Sequence, residues 1–253
     1  MSTFLLFVLT FSRHIHLSEV ASTNEVAREL LRDVESVVVS ADHQTGGKGR
    51  RGRFWHDLPG ESVLVTFGLR HNQERSVSDL AADMARGCLA ALNVLRSLGL
   101  TDRIRCKYPN DVQAREETGW CKLSGVLIEH DFMGSQCQTT VIGIGMNVLQ
   151  KEFGETIGQP ATSLRRLGVS TTPQTVVEGL RLSLETLIGL PSEEVYELWR
   201  SELGIGTAMV ELLGCDGQWK ASDLDENGRL VVVNINDGTQ RIIDDGDTLR
   251  YLN

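Results

Sequence analysis

A change of pattern near residue 205 constrains the fold of this chain most strongly. Before it, apolar strand-like segments alternate with long helical ones, such as the series from Val77 to Leu95 at helical spacing. After it come only short strand-like segments, including "RLVVVNI" and "TQRII", separated by hairpin signals such as Asp237-Gly238. The pattern predicts an α+β fold: a mixed β-sheet flanked by helices over residues 1–204, and a small C-terminal β-barrel over residues 205–253.

Capping residues and apolar runs predict where several helices begin and where the strands lie. Ser22 and Glu25 have the spacing of a capping box, and Thr172-Pro173 supplies an N-cap and a first-turn proline, so helices should begin at both places. Apolar runs predict strands at "VESVVVSAD", "ESVLVTFGLR", "RIRCKYPND", "KLSGVLIEHDF" and "TTVIGIGMNV".

The segment "RIRCKYPND" alternates cationic and apolar residues, so Lys107 should lie on the strand face opposite the core. Pro109 keeps Tyr108 extended, and Asn110-Asp111 is a turn signature. We therefore expect Lys107 at a strand end, beside a tight turn.

Composition excludes several classes of protein. The formal net charge of -9 argues against a general nucleic-acid coat. The five cysteines form no C-x-x-C and no zinc-like Cys/His spacing, which indicates free thiols in a reducing compartment and no structural metal site. The apolar run Phe4–Phe11 is far shorter than the roughly 20 residues of a membrane span and lacks a preceding basic region. We predict a leading strand there and a cytoplasmic location.

The segment "QTGGKGRRGRFW", residues 44–55, concentrates cations among glycines in this acidic chain. Its glycines allow backbone amides to approach an anion, while Lys48, Arg50 and Arg53 bring charge. It matches neither the P-loop nor the dinucleotide pattern. Alone it is equally compatible with a solvated basic loop, a nuclear-localisation signal or an RNA contact. Its place between two strands, and the second strand-end cation Lys107, favour an anion-binding site.

Six ordered segments carry a family resemblance. They are "STNE", "QTGGKGRRGRFW", "KYPNDV", "KLSGVLIE", "VIGIGMNV" and "PATSL", spanning Ser22 to Leu164. In sequence and order they resemble the catalytic domain of biotin protein ligases, also called holocarboxylase synthetases, and the terminal β segment resembles that family's SH3-like domain. The resemblance implies a catalytic fold like that of class II aminoacyl-tRNA synthetases. The short stretch before Ser22 leads us to expect a stand-alone ligase without a DNA-binding domain.

The resemblance also implies an activity. Family members join biotin to one lysine of a biotin carboxyl carrier domain of a carboxylase in two steps, through biotinyl-5'-adenylate, with ATP and Mg²⁺. Two unit negative charges about 4 Å apart repel by roughly 4 kcal/mol at an effective dielectric near 20. A biotin carboxylate that attacks a phosphate therefore requires cations, and Lys107 and Arg50 are the expected catalytic residues.

The site residues implied by the resemblance fall into two sets. The biotin-binding set is Ser22, Thr23, Gln44, Gly47, Lys48, Arg50, Lys107 and Gly125. The set for ATP or the adenylate, with Mg²⁺ accompanying ATP, is Arg50, Arg53, Trp55, Lys107, Asn110, Asp111, Asn147 and Ser163. Trp55 is expected to pack on the adenine.

Two departures and two alternatives accompany this interpretation. Lys48 stands where the family has an arginine and loses its bidentate fork, and Tyr108 replaces a tryptophan. One alternative is a lipoate protein ligase, which shares the fold, but its R-R-x-S-G-G-G signature is absent. The other is a nucleic-acid-binding module, which would bind nucleic acid in a strongly salt-dependent manner. The excess of acidic residues disfavours this second alternative. The sequence leaves the carboxylases and the oligomeric state open.

Overall fold

A seven-stranded mixed sheet forms the larger part of the molecule. The computed structural model describes residues 10–11, 13–154, 159–244 and 246–252. The strand order is β1-β2-β3-β7-β6-β5-β4, with β1 and β2 parallel and every other pair antiparallel. The strands are β1 His14–Val20, β2 Ser36–Gln44, β3 Ser62–Arg70, β4 Ile104–Lys107, β5 Asp111–Glu116, β6 Gly119–Met133 and β7 Gln136–Asn147.

Helices cover both faces of this sheet. The helices are α1 Thr23–Leu30, α2 Val77–Ser97, α3 Pro173–Ile188 and α4 Ser192–Glu202. Strand alternation separates the two layers: Val38 faces the large core under α2, α3 and α4, whereas Val37 and Val39 face α1. Because α1 has only 8 residues, it leaves much of its face open. The predicted α+β fold with a mixed sheet flanked by helices is confirmed.

The second sheet begins after α4. Its strands are β8 Met209–Leu212, β9 Trp219–Leu224, β10 Leu230–Asn234, β11 Gln240–Ile243 and β12 Leu249–Tyr251. They pair antiparallel in the order β11-β10-β9-β8-β12, as expected of a small SH3-like unit. The hairpin turns predicted at residues 227–228 and 237–238 join β9 to β10 and β10 to β11, and Gly228 and Gly238 adopt positive φ angles of 75° and 76°. The boundary between residues 204 and 205 stays a prediction.

One of the two predicted helix caps is confirmed and the other is wrong. The Thr172 hydroxyl accepts from the Thr175 amide at 3.2 Å and Pro173 begins α3, as predicted. Ser22 is the N-cap of α1, but its side chain makes no capping hydrogen bond. The predicted capping box is wrong because the Glu25 carboxylate binds Lys48 of the glycine-rich loop instead, with Nζ to Oε1 at 2.5 Å.

Three strand predictions also change. Residues 4–9 of the predicted leading strand lie outside the described residues, and Phe11 is a buried, non-strand residue whose amide donates to Glu185 Oε1 at 2.9 Å. Strand β1 was not predicted, although Ile15 and Leu17 of "HIHLSEV" alternate with polar residues. Asp111 begins β5, so the tight turn after Lys107 covers residues 108–110.

None of the helices within the described ranges has the length and apolar character needed to cross a bilayer.

Candidate active site

The open face of β4, β5 and β6 carries two rows of facing side chains. On β4, Cys106 points into the core, so Arg105 and Lys107 point to the opposite face. The register aligns Lys107, Asp111, Gly125 and Gly145 in one row and Arg105, Gln113 and Lys122 in the next. A strand irregularity between Val112 and Gln113 separates the rows. The sheet thus presents charged side chains next to two bare glycines.

Lys107 is half-buried at the end of β4, as predicted. Burial lowers the pKa of its amine, while the nearby carboxylates of Asp111 and Asp247 oppose that shift. Within the part of the chain that the structure describes, no carboxylate forms a salt bridge with Lys107, since Asp111 pairs with Lys122 instead, Nζ to Oδ1 at 2.7 Å. The Lys107 ammonium is therefore placed to bind an anionic ligand.

Lys122 lies on the same sheet face, although the sequence analysis assigns it no role. It lies across from Gln113 and 5.7 Å from the ring centroid of Trp55, and its Nζ would be 3.2 Å from a Cβ built on Gly125. The signal was present, because Lys122 is the first residue of "KLSGVLIE". Only the glycine of that segment had been assigned to the site.

The start of α1 and the end of β2 form a cluster of hydrogen-bonded, largely buried polar side chains. The Thr23 amide and hydroxyl both donate to Gln44 Oε1, at 2.7 and 3.0 Å. The Thr66 hydroxyl donates to Asn24 Oδ1 at 2.6 Å, and Asn24 Nδ2 donates to Glu129 Oε2 at 2.7 Å. The structure therefore brings Thr23 and Gln44, two predicted biotin ligands, into direct contact. Ser22, immediately before Thr23, is also buried.

The glycine-rich loop folds back on itself next to this cluster. The Gly46 amide donates to Ala21 O at 2.9 Å, and the Trp55 amide donates to Gly47 O at 3.0 Å. A Cβ at Gly47 would lie 3.0 Å from Trp55 O, so a side chain there would require the backbone to shift by a few tenths of an ångström. Arg51 has a φ of 56° in the left-handed region, which reverses the loop. The loop is thus a flap whose two ends are held by backbone hydrogen bonds.

Trp55 turns from this flap onto the sheet. A Cβ on Gly145 would lie 2.7 Å from the indole, and one on Gly125 would lie 3.2 Å from it, so the two glycines leave room for the ring. The indole Nε1 is buried and has no hydrogen-bond partner in the described structure. A buried donor without an acceptor is costly, so this N–H is available to a ligand atom. Its predicted packing on adenine stays a prediction.

The cations of the loop have partners outside the Lys107 row. Lys48 binds Glu25. Arg50 Nη2 donates to Asp244 O at 3.5 Å, and Arg53 binds the Asp247 carboxylate. Asp247 lies in the turn Gly246–Thr248 before β12. Gly246 of this turn packs on the turn after Lys107, because a Cβ built on it would lie 2.2 Å from Tyr108 O. The second sheet therefore closes one side of the site, a contribution that no local sequence signal indicated.

Three predicted ATP ligands make backbone contacts. Asn110 Nδ2 donates to Val126 O at 2.7 Å, Asn147 Nδ2 donates to Thr162 O at 3.0 Å, and the Ser163 hydroxyl donates to Gln150 O at 2.6 Å. These bonds fix the turn after β4 and the segment after β7. Contacts of these residues with ATP stay predictions.

Comparison with known proteins relates this site to a family. A model of the biotin/lipoate A/B protein ligase family matches residues 19–147. The chain is 32% identical to the biotin–[acetyl-CoA-carboxylase] ligase of Mycobacterium tuberculosis, over 85% of this chain and 82% of that protein. It is 29% identical to the bifunctional ligase/repressor BirA of Bacillus subtilis, over 90% of this chain and 71% of that protein. The solved structure of the biotin protein ligase from Aquifex aeolicus in complex with biotin and ATP aligns with a TM-score of 0.69 and 26% identity, covering 96% of this chain and 100% of that one.

Proposed function

Because this chain belongs to the biotin/lipoate A/B protein ligase family, we propose that it is an ATP-dependent ligase that activates biotin as biotinyl-5'-adenylate and then transfers the biotinyl group to a lysine of a biotin carboxyl carrier domain. One observation carries this proposal. The row of Lys107, Asp111, Gly125 and Gly145 places a cation without a salt bridge to any described carboxylate on the same sheet face as Trp55, which packs against the two glycines. A reaction between two anions requires such an arrangement.

In the first step a biotin carboxylate oxygen attacks the α-phosphorus of ATP. The new bond joins that oxygen to phosphorus, and the bond from phosphorus to the bridging oxygen breaks, with its electron pair leaving on pyrophosphate. The Lys107 and Lys122 ammonium groups lie one row apart on the same face. They offset the repulsion between carboxylate and phosphate and stabilise the charge that develops on the phosphate oxygens.

In the second step the neutral amine of the acceptor lysine attacks the acyl carbon. A carbon–nitrogen bond forms, the bond from the acyl carbon to the phosphate oxygen breaks, AMP leaves, and the amine loses its proton to solvent. Lys107 and Arg50 bind the phosphate of the departing AMP. The Trp55 indole, packed against Gly125 and Gly145, keeps water from the anhydride.

The remaining predicted ligands divide along the face. Biotin lies toward the start of α1 and the end of β2, and the nucleotide lies toward the ends of β4 and β7. The proposed biotin contacts are Ser22, Thr23, Gln44, Gly47, Lys48, Arg50, Lys107 and Gly125. The proposed nucleotide contacts are Arg50, Arg53, Trp55, Lys107, Asn110, Asp111, Asn147 and Ser163.

Mg²⁺ accompanies ATP in this proposal. Among the described residues, no group of three or more His, Cys, Asp or Glu side chains could hold a metal ion. Proteins bind Mg²⁺ through one or two carboxylates together with substrate phosphates. Asp111 is the acidic side chain in the row of Lys107, and its carboxylate would supply the protein oxygen. Bound Mg²⁺ would neutralise charge on the leaving phosphates.

We also propose that the acceptor domains belong to carboxylases and that the protein acts in the cytoplasm. All five cysteines are free thiols, which agrees with a reducing compartment.

Parallel reactions with biotin and with lipoate test the proposed function. Protein, ATP and Mg²⁺ are incubated with either acid, and the acyl adenylate and the acylated carrier domain are quantified. Biotinyl-5'-adenylate and biotinylated carrier are expected, and lipoate should give neither. Activation of lipoate alone would replace biotin with lipoate as the substrate, and activation of neither acid would overturn the proposal.

A further inference from the structure

Arg105 lies one row from Lys107 and is held in an aromatic clamp. Its guanidinium carbon lies 4.1 Å from the ring centroid of Trp120 and 5.6 Å from that of Tyr251, on β12 of the second sheet. Its Nε donates to Gln113 Oε1 at 2.9 Å. The two ring faces and this hydrogen bond fix the guanidinium plane. Its terminal Nη1 and Nη2 groups make no hydrogen bond with any other described residue, so they remain available as donors.

The charge of Arg105 has no protein counterion among the described residues. Burial without a carboxylate partner lowers the pKa of its half-buried guanidinium to about 10. Arg75 and Arg86 differ in this respect, because they share the buried Asp83 carboxylate, with Nη1 to Oδ distances of 2.6 and 3.1 Å. A cation taken out of water normally requires an anionic partner. At Arg105 that partner is missing from the described protein, which points to a ligand.

The position of Arg105 indicates which anionic group of the substrates it would bind. It precedes Lys107 by two residues on the same strand face, a separation of about 6.6 Å along the strand. Lys107 faces the carboxylate and α-phosphate in the proposed reaction. The β- and γ-phosphates extend from that point by a comparable distance. A planar guanidinium with two free donors suits bidentate binding of phosphate oxygens.

We infer that Arg105 binds the β- and γ-phosphates of ATP and retains the pyrophosphate that leaves during adenylation. This inference rests on the proposed function and assigns the leaving-group end of the same site. When the bond between the α-phosphorus and the bridging oxygen breaks, the electron pair goes to that oxygen. The Arg105 donors stabilise the resulting charge and keep their own protons. Trp120 and Tyr251 position the guanidinium without touching the nucleotide.

The same geometry would also suit a purely structural link between the two sheets, through stacking on Tyr251. The anion-binding role and the structural role can be distinguished by a lysine substitution. Lysine keeps the charge but cannot stack as a planar fork. In an anion-binding role, Arg105→Lys retains part of the function that Arg105→Gln loses. In a stacking role, the two variants are equally impaired.

The test measures pyrophosphate directly. Wild type, Arg105→Gln, Arg105→Lys and the control Arg115→Gln are compared, since Arg115 lies 5.9 Å from the same Trp120 ring but is exposed. The measured quantities are the Kd for inorganic pyrophosphate by calorimetry, the KM for ATP in adenylation, and the transfer rate from supplied biotinyl-5'-adenylate. For Arg105→Gln we expect pyrophosphate Kd and ATP KM to rise about 10- to 100-fold, as for a lost charge-assisted contact, with transfer unchanged. Arg105→Lys should fall between Gln and wild type, and Arg115→Gln should match wild type.

Unchanged pyrophosphate affinity in Arg105→Gln would overturn the inference. So would equal losses in the Gln and Lys variants that extend to the transfer step, because these indicate a structural role. If the wild type forms no adenylate, the proposed function fails, and the calorimetric titration still decides whether Arg105 binds pyrophosphate.

Discussion

Cations reach the candidate site from two regions that differ in how they hold their charge. On the loop of residues 44–55, Lys48 and Arg53 are exposed and already paired with the carboxylates of Glu25 and Asp247. On β4, Lys107 is half-buried and has no salt bridge with any described carboxylate. Burial lowers the pKa of Lys107, whereas the hydrogen bond that Lys48 donates to Glu25 raises the pKa of Lys48. We therefore expect the strand to hold its charge in place before the ligand arrives and the loop cations to exchange their protein partners for the ligand.

The largest expected effect is at the strand. Lys107→Ala should slow adenylate formation by a factor on the order of 100 to 1,000, because it removes one preorganised donor to the developing charge. Single-turnover formation of biotinyl-5'-adenylate measures this rate. Lys151→Ala, at an exposed lysine after β7, is the control and should behave as wild type. Near-normal adenylation by Lys107→Ala would show that the charge on β4 is not more important for adenylation than the charges on the loop.

The next effect is at the loop. Arg50→Gly should release the adenylate on the order of tenfold faster, since a charged hydrogen-bond donor to the phosphate is lost. The released anhydride should then label exposed lysines of a bystander protein, which mass spectrometry detects. Arg51→Gly, which removes a neighbouring charge at a left-handed position, is the control and should not increase labelling. Bystander labelling at background in an active Arg50→Gly protein would show that the loop does not retain the adenylate.

The pH dependence of adenylation is expected to report on Lys107 of β4 and not on the loop. The protonated Lys107 is the active form, and its pKa is lowered by burial. As pH rises, adenylation should therefore decline at a lower pH than an ordinary lysine would give. In Lys107→Arg the guanidinium stays charged, so this decline should move to higher pH. Rates measured from neutral to alkaline pH give both profiles, and an identical decline in the two proteins would exclude Lys107 as the titrating group.

The smallest effect concerns Lys48. Because Lys48 is exposed and its ion pair with Glu25 is solvated, Glu25→Gln should leave the stability of the protein almost unchanged. Lys48→Arg restores the fork found in the family and should tighten biotinyl-5'-adenylate binding by a few-fold at most. Competition binding with the adenylate measures this change. A large gain in Lys48→Arg would mean that the loop, like the strand, is organised before the ligand arrives.

Sequence reasoning recovered the parts of the molecule that local pattern encodes. Period-two alternation placed Lys107 at a strand end facing away from the core, and the structure agrees. The contacts it missed join residues distant along the chain. Arg53 meets Asp247 and Arg105 meets Tyr251 only because the second sheet packs on the turn after β4. Similarly, the capping box failed because Glu25 meets a lysine from the loop.

One single-turnover experiment tests the central claim most directly. Adenylate formation and adenylate release are measured separately in wild type, Lys107→Ala and Arg50→Gly. The expected result is that Lys107→Ala slows formation by the largest factor, while Arg50→Gly mainly accelerates release. If both substitutions change the same step by similar factors, the strand and the loop do not have the separate roles that their burial and pairing indicate.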